Sequence, residues 1–131
     1  MMLKCFDKEG FLVKKKYIFP LVVRGDETLK YIFPTKQKAA QIAITLAKGD
    51  HRIDRLIVFG SATTMQCGMQ SDMDIAIDAP NVAEDDFMIL AREFHRKIES
   101  EVDVIHYNNI HSTLLKKEID EKGVNLYVKR Q

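Results

Sequence analysis

The order of predicted helices and strands after residue 35 limits the fold more than any other feature of this sequence. Apolar residues at positions 39, 42, 43, 46 and 47 share one helical face, which predicts a helix over 36–48. Thr35 is placed to cap that helix and Gly49 to end it. Further strands are predicted at 55–59, 72–78, 102–107 and 124–128, and further helices at 61–67, 84–100 and 110–121. This alternation predicts an α/β (α+β) fold, with a small mixed β-sheet flanked by helices.

The first 34 residues have a different character. They contain short β-prone runs at 11–13, 17–19, 21–23 and 29–33, with a turn signal at 24–27. We therefore expect two parts, an N-terminal β-strand appendage over 1–34 that includes a hairpin, and a main domain over 35–131. The lysine cluster at 14–16 is interpreted as an exposed turn, with contact to phosphate or nucleic acid as the alternative.

Composition limits the class of protein. A chain of 131 residues buries enough surface for a core without disulfides or a structural metal. Cys5 and Cys67 lack CxxC spacing, the N-terminus MMLKCFDKEG is charged where a signal peptide needs an apolar core, and no run of about 20 apolar residues is present. We therefore expect free thiols, a cytoplasmic location and no membrane span.

Charge is unevenly distributed along the chain. Residues 1–55 carry twelve Lys and Arg against six Asp and Glu, whereas residues 56–131 carry eight against thirteen. A basic half beside an acidic half suits a site that collects cations together with anionic ligands, although solvated surface charge explains it equally.

Carboxylates in two of the predicted strands indicate a metal site. Asp72 and Asp74 lie two apart in an alternating strand and so share a face, where their repulsion and desolvation are offset if a divalent cation binds between them. Mg²⁺ (or Mn²⁺) prefers such oxygen ligands together with substrate phosphates. Asp103 lies in the next predicted strand and joins the cluster if the two strands are neighbours. Asp78 lies on the same face at the strand end and is assigned a solvated or capping role.

A phosphate site is predicted directly before this pair. Gly60 and Ser61 follow the buried strand 55–59 at the start of the predicted helix 61–67. Glycine permits close backbone approach, and a helix N-terminus offers unpaired N–H groups to an anion. Three carboxylates can hold two metals that activate an attacking oxygen and stabilise a leaving pyrophosphate. The predicted chemistry is nucleotidyl transfer from an NTP.

Gly60-Ser61, ten intervening residues, Asp72-Met73-Asp74 and a later strand Asp103 together resemble the DNA polymerase β-like nucleotidyltransferase superfamily. Within it the chain looks most like the minimal nucleotidyltransferase (MNT) proteins, over about residues 36–128. The resemblance implies the polymerase β-like palm fold, triphosphate binding by Gly60 and Ser61, and metal binding and catalysis by Asp72, Asp74 and Asp103. Many relatives carry an Arg-Gly pair after Gly-Ser, whereas residues 62–68 here read ATTMQCG.

The resemblance implies transfer of an NMP, with AMP expected from ATP, to an acceptor on a separate HEPN-type helical partner, as in toxin–antitoxin pairs. The missing arginine supports an alternative, a catalytically weak nucleotide-binding antitoxin or partner-binding module. A small-molecule transferase of the aminoglycoside-modifying kind is a further alternative, disfavoured because such enzymes usually have an additional substrate domain. Nucleic acid is a disfavoured partner, and a homo-oligomer remains open.

Overall fold

The computed structural model describes residues 2–6, 12–68, 71–99 and 102–130, with side chains described from residue 16 onward. Six strands are present in this part of the chain: β1 (Met2–Phe6), β2 (Leu12–Tyr17), β3 (Arg55–Phe59), β4 (Met73–Asp78), β5 (Val102–His106) and β6 (Val124–Val128). Three α-helices, α1 (Gln37–Lys48), α2 (Glu84–Lys97) and α3 (Thr113–Lys122), accompany them. Short 3-10 helices occupy Glu27–Tyr31, Pro34–Lys36, Gly60–Thr63 and Tyr107–Asn109.

The main sheet has four strands in the order β5-β4-β3-β6. β3 runs antiparallel to both β4 and β6, and β4 runs parallel to β5. The connection between β4 and β5 is α2, because parallel neighbours need a long crossover. The sheet is therefore mixed, and the predicted fold class is confirmed.

Apolar residues cover both faces of this sheet. On one face, Leu56 and Val58 of β3 and Ile75 of β4 lie in the main core with buried residues of α1 and α2. On the other face, Ile57 and Ala76 pack against Ile119 of α3 in a smaller cluster. The continuous apolar run of β3 is explained by this burial on both faces.

The N-terminal segment differs from its prediction. β1 and β2 form an antiparallel hairpin, but its strands are not the predicted ones, since no strand was expected at 2–6 and Lys16 lies within β2 instead of a turn. Residues 18–33, all of them described, form no strand, and the predicted strand at 29–33 is wrong because Asp26 caps a 3-10 helix there by accepting from Thr28 N. Predicted β residue 11 lies outside the described residues.

Residues 19–33 pack on the main domain. Leu29 and Ile32 are fully buried in the main core. The fully buried Gln37 side chain donates to Pro20 O (2.8 Å) and Ile32 O (3.1 Å) and accepts from Val22 N (2.8 Å). The apolar character of Leu29 and Ile32 therefore reflects their burial in the core and does not indicate a strand.

The helices differ from their predictions in three details. Thr35 does not cap α1, because it lies inside the 3-10 turn Pro34–Lys36 that leads into the helix. The buried face of α1 comprises Gln37, Ala39, Ala40, Ala43, Ile44 and Ala47. It shares Ala39, Ala43 and Ala47 with the predicted face but excludes Ile42 and Leu46. α3 begins at Thr113, three residues later than predicted, because the Ser112 hydroxyl accepts from Leu115 N and caps it. Across the described ranges, none of the helices has the length and apolar character that crossing a bilayer requires.

Candidate functional site

The predicted site residues gather at one edge of the sheet. β3 ends there at Phe59, and β4, β5 and β6 begin there. In the strand register, Asp74 faces Phe59 on one side and Asp103 on the other. Gly60, Asp74 and Asp103 are thus contributed by three consecutive strands of the sheet.

Asp74 and Asp103 lie on the α3 side of the sheet. Alternation along β4 puts Asp74 on the face of Ala76, and alternation along β5 puts Asp103 on the face of Ile105, and both apolar residues belong to the α3-side cluster. Asp72 directly precedes β4 and is half-buried, as is Asp74, whereas Asp103 is exposed on the edge strand.

The electrostatics of Asp74 reflect this crowding. Burial raises the pKa of the Asp74 carboxyl above its usual value. Interaction with Asp103, by charge and by a side-chain hydrogen bond, raises that pKa further, and the charges of Asp72 and Glu118 add to the effect. Asp72 and Asp103 are therefore electrostatic neighbours of Asp74, and a bound cation would relieve their mutual repulsion.

Gly60 leaves room for the Asp74 carboxylate. Its φ is +77°, in the region that favours glycine, and a Cβ built on it would lie 2.6 Å from Asp74 Oδ2. The glycine is needed here for both its backbone conformation and its missing side chain. Gly60 thus brings the end of β3 against the carboxylate of β4.

The segment after Gly60 is a single turn and not the predicted helix over 61–67. Gly60–Thr63 forms a 3-10 helix, in which Thr64 N donates to Ser61 O (2.9 Å) and Thr63 Oγ1 donates to Gly60 O (2.9 Å). The chain then continues through bends and turns to Gly68. The prediction of anion binding by a helix N-terminus loses its basis, and the Ser61 hydroxyl and the glycine backbone remain as candidate phosphate contacts.

The donor chemistry at this edge suits a divalent cation. All three predicted ligands are carboxylates, the hard oxygen donors that Mg²⁺ and Mn²⁺ take. In the described part of the chain, no three side chains of His, Cys, Asp or Glu lie close enough together to hold a metal ion as they stand. Asp74 and Asp103 face each other in the register of β4 and β5, and the charge of Asp72 also acts on Asp74.

Three further residues make interactions that the sequence did not reveal, one beside Asp74 and two at the opposite ends of β4 and β5. Glu118, on α3, adds a fourth negative charge near Asp74. Asp78 does not take a solvated or capping role, since it forms an ion pair with Arg55 Nε (2.8 Å) and accepts from Asn108 Nδ2 (2.8 Å). His106 stacks on Phe87 at a ring-centroid distance of 4.2 Å, on the opposite face from Asp103. Long-range contacts of this kind leave no local signal in a sequence.

Sequence comparison defines the class of the protein. Residues 41–131 match the model of the family described as polymerase beta, nucleotidyltransferase. The chain therefore belongs to the polymerase β-like nucleotidyltransferase family, and the predicted resemblance is confirmed. No curated protein matches the sequence.

Solved structures with a similar fold include toxin–antitoxin complexes. A toxin–antitoxin crystal structure with AMP-PNP superposes with a TM-score of 0.58 at 23% identity, covering 70% of this chain and 75% of the other. The tri-AMPylated Shewanella oneidensis HEPN toxin in complex with MNT antitoxin gives a TM-score of 0.55 at 23% identity, covering 72% and 73%. The toxin–antitoxin MntA–HepT gives 0.54 at 22%, covering 71% and 73%. At such identities the likeness concerns the fold.

Proposed function

We propose that the chain is a nucleotidyltransferase that moves an NMP, with AMP expected, from an NTP to a side chain of a partner protein in the cytoplasm. The observation that carries this proposal is the register pairing of Asp74 with Asp103 beside Gly60. Carboxylates at adjacent strand ends, next to a glycine turn, are the arrangement that the nucleotidyltransferase chemistry needs. The family of the chain supports the same reaction class.

Asp72, Asp74 and Asp103 would hold Mg²⁺ (or Mn²⁺). The bound cations would supply charge neutralisation of the triphosphate and of the leaving pyrophosphate. The raised pKa of Asp74 supports this assignment, because the carboxylate cluster is electrostatically unsatisfied without a cation. Gly60 and Ser61 would bind the phosphates through backbone N–H groups and the serine hydroxyl.

The remaining steps follow from where these side chains lie. Transfer forms a bond between the acceptor oxygen and the α-phosphorus and breaks the bond from that phosphorus to the pyrophosphate oxygen. Asp103 is exposed on an edge strand, so an acceptor from another protein can reach it. In the proposed reaction its carboxylate orients the acceptor hydroxyl and receives the hydroxyl proton.

A HEPN-type protein is the proposed acceptor. The support is the similarity of this chain to antitoxins solved with HEPN toxins, one of which is tri-AMPylated. The similarity to a complex solved with AMP-PNP supports ATP as the nucleotide.

The test is transfer of label from α-labelled ATP to a co-purified HEPN partner with Mg²⁺ present. We expect labelling by the native chain and loss of at least about 100-fold with Asp74→Asn or Asp103→Asn, since each removes a carboxylate that acts in the transition state. Asp85→Asn is the matched control, because Asp85 is an exposed carboxylate in the first turn of α2 and should leave labelling unchanged. Equal labelling by Asp74→Asn and the control would refute the proposal.

The second candidate function is a nucleotide-binding, partner-binding module with little turnover. It is favoured by the sequence ATTMQCG at 62–68, which lacks the arginine of many relatives. Under this function calorimetry detects NTP binding, no label is transferred, and Asp74→Asn leaves partner affinity unchanged. Labelling of the partner excludes it. Labelling of an aminoglycoside instead of the partner would support the small-molecule alternative.

A further inference from the structure

A cavity of about 310 Å³ lies between the N-terminal segment and the C-terminal end of α3. The N-terminal segment contributes Lys16 and Tyr17 of β2 and Tyr31. Its other walls are Thr63 and Thr64, Glu121 and Lys122 of α3, and Val124 of β6. The family match begins at residue 41, so three of the lining residues lie outside it. The cavity is thus completed by a segment that is additional to the matched domain.

The cavity adjoins the Gly60–Ser61 turn directly. Thr64 is bonded to Ser61 O by its backbone N–H (2.9 Å) and its hydroxyl (3.0 Å). The N-terminal segment is bonded to the same turn, since Phe33 N donates to Ala62 O (2.8 Å). A ligand that contacts Ser61 can therefore extend into the cavity past the two threonine side chains.

Positive charge predominates in the lining. Lys16 and Lys122 carry one positive charge each, and Glu121 carries the single negative charge. Lys16 Nζ donates to Gly123 O (2.9 Å), which holds the ammonium group of β2 against the end of α3. Two ammonium groups in one cavity favour an anion with several oxygen atoms, whereas the protons of the two threonine hydroxyls are already donated to Gly60 O and Ser61 O.

The sheet order gives this cavity a place in the reaction. At the active edge the strands carry, in order, Asp103 on β5, Asp74 on β4, Gly60 after β3, and Val124 at the start of β6. In an in-line displacement the acceptor and the leaving pyrophosphate lie on opposite sides of the α-phosphorus. With the acceptor at Asp103, the pyrophosphate lies toward β3 and β6, which is the side of the cavity.

We propose that this cavity binds the pyrophosphate end of the nucleotide, with Lys122 and Lys16 as its cationic contacts. The inference rests on the proposed function and adds the N-terminal hairpin to the nucleotide site. The two lysines supply positive charge that residues 62–68 do not, because those residues lack the arginine found in many relatives. The competing ligand is the nucleobase, which Tyr17 and Tyr31 could stack against.

The experiment titrates the folded chain by calorimetry with inorganic pyrophosphate, ATP, AMP and adenosine in EDTA. Lys122→Gln removes one cation, and Lys117→Gln is the matched control because Lys117 is an exposed lysine of α3 outside the cavity lining. We expect Lys122→Gln to weaken pyrophosphate and ATP binding about 5- to 10-fold while adenosine binding is unchanged. Lys122→Arg should restore most of the affinity.

Equal pyrophosphate affinity for Lys122→Gln and Lys117→Gln would overturn the inference. A loss of adenosine binding with pyrophosphate binding intact would also overturn it, and would assign the cavity to the nucleobase. Asp74→Asn separates this inference from the proposed function, because it should abolish transfer yet leave pyrophosphate binding in EDTA at least as strong. If pyrophosphate binding depends on Lys122 but the chain shows no transferase activity, the proposed function is wrong and the inference about the cavity stands.

Discussion

Asp74→Asn should stabilise the protein in the absence of divalent cations. Asp74 and Asp103 occupy facing positions of β4 and β5, and Asp72 and Glu118 are further negative charges near them. Favourable cross-strand pairs contribute about 0.2–1 kcal/mol and facing like charges are destabilising, so we take a cost of similar size, which Asn relieves at nearly constant volume. The expected gain in the free energy of unfolding is about 0.2–1 kcal/mol, or about 1–4 °C in Tm for a chain of this size.

The stability difference between Asp74→Asn and the native chain should change with pH in a direction that can be checked. The pKa of Asp74 is raised in the folded protein by burial and then by Asp103, from a usual value of 3.8. The folded state therefore binds the proton more tightly than the unfolded state, and the stability of the native chain falls as pH rises through the raised pKa. The advantage of Asp74→Asn should be small below pH 3.8 and complete once pH exceeds the raised pKa.

The assay is urea unfolding at low ionic strength, in EDTA, across this pH range. Asp85→Asn, at the N-terminus of α2, serves as control and should lose about 0.3–1 kcal/mol because it weakens a favourable helix-dipole interaction. Added Mg²⁺ should reverse the order, since a cation at 100 times its Kd stabilises the native chain by about 2.7 kcal/mol and the Asp74→Asn chain by much less. A less stable Asp74→Asn chain in EDTA at pH 7 would refute the reasoning.

Three further substitutions test the scaffold of the site. Gly60→Ala should cost about 1–2 kcal/mol in unfolding and weaken nucleotide binding, because φ is +77° and the new Cβ would lie 2.6 Å from Asp74 Oδ2; unchanged Tm and affinity would contradict this. Gln37→Leu should cost about 1–3 kcal/mol, measured by chemical unfolding, because it leaves the partly buried Val22 N–H and the carbonyls of Pro20 and Ile32 without their partner. Asp78→Asn should lower Tm by removing the half-buried ion pair with Arg55, and calorimetric scanning that shows no decrease would make that pair energetically neutral.

Local patterns predicted the main domain because its elements are determined by local spacing. The apolar run of β3, the alternation of β4 and the acidic first turn of α2 are each complete within one short stretch. The segment around Leu29 and Ile32 failed this reasoning, since the burial of these two residues in the main core determines their conformation. Propensity alone cannot distinguish a β-prone residue in a strand from one in a buried turn.

The candidate site was predictable only to the extent that its residues share a strand. Asp72 and Asp74 lie two residues apart, so alternation relates them, but the pairing of Asp74 with Asp103 depends on the parallel crossover through α2. The family resemblance supplied that relationship. The contact of Lys16 with Gly123 joins residues 107 positions apart and has no signal in the sequence.

The sheet order also restricts how a partner can approach the site. β5 is an edge strand, and Asp103 is exposed on it, whereas the hairpin and α3 enclose the cavity on the β6 side. If the nucleotide binds as proposed, its pyrophosphate end is covered by the chain itself and the open side of the α-phosphorus is the side of β5. A partner that delivers a nucleophile must then dock against β5. An acceptor protein bound on the β6 side would face the leaving group, where no in-line attack can occur.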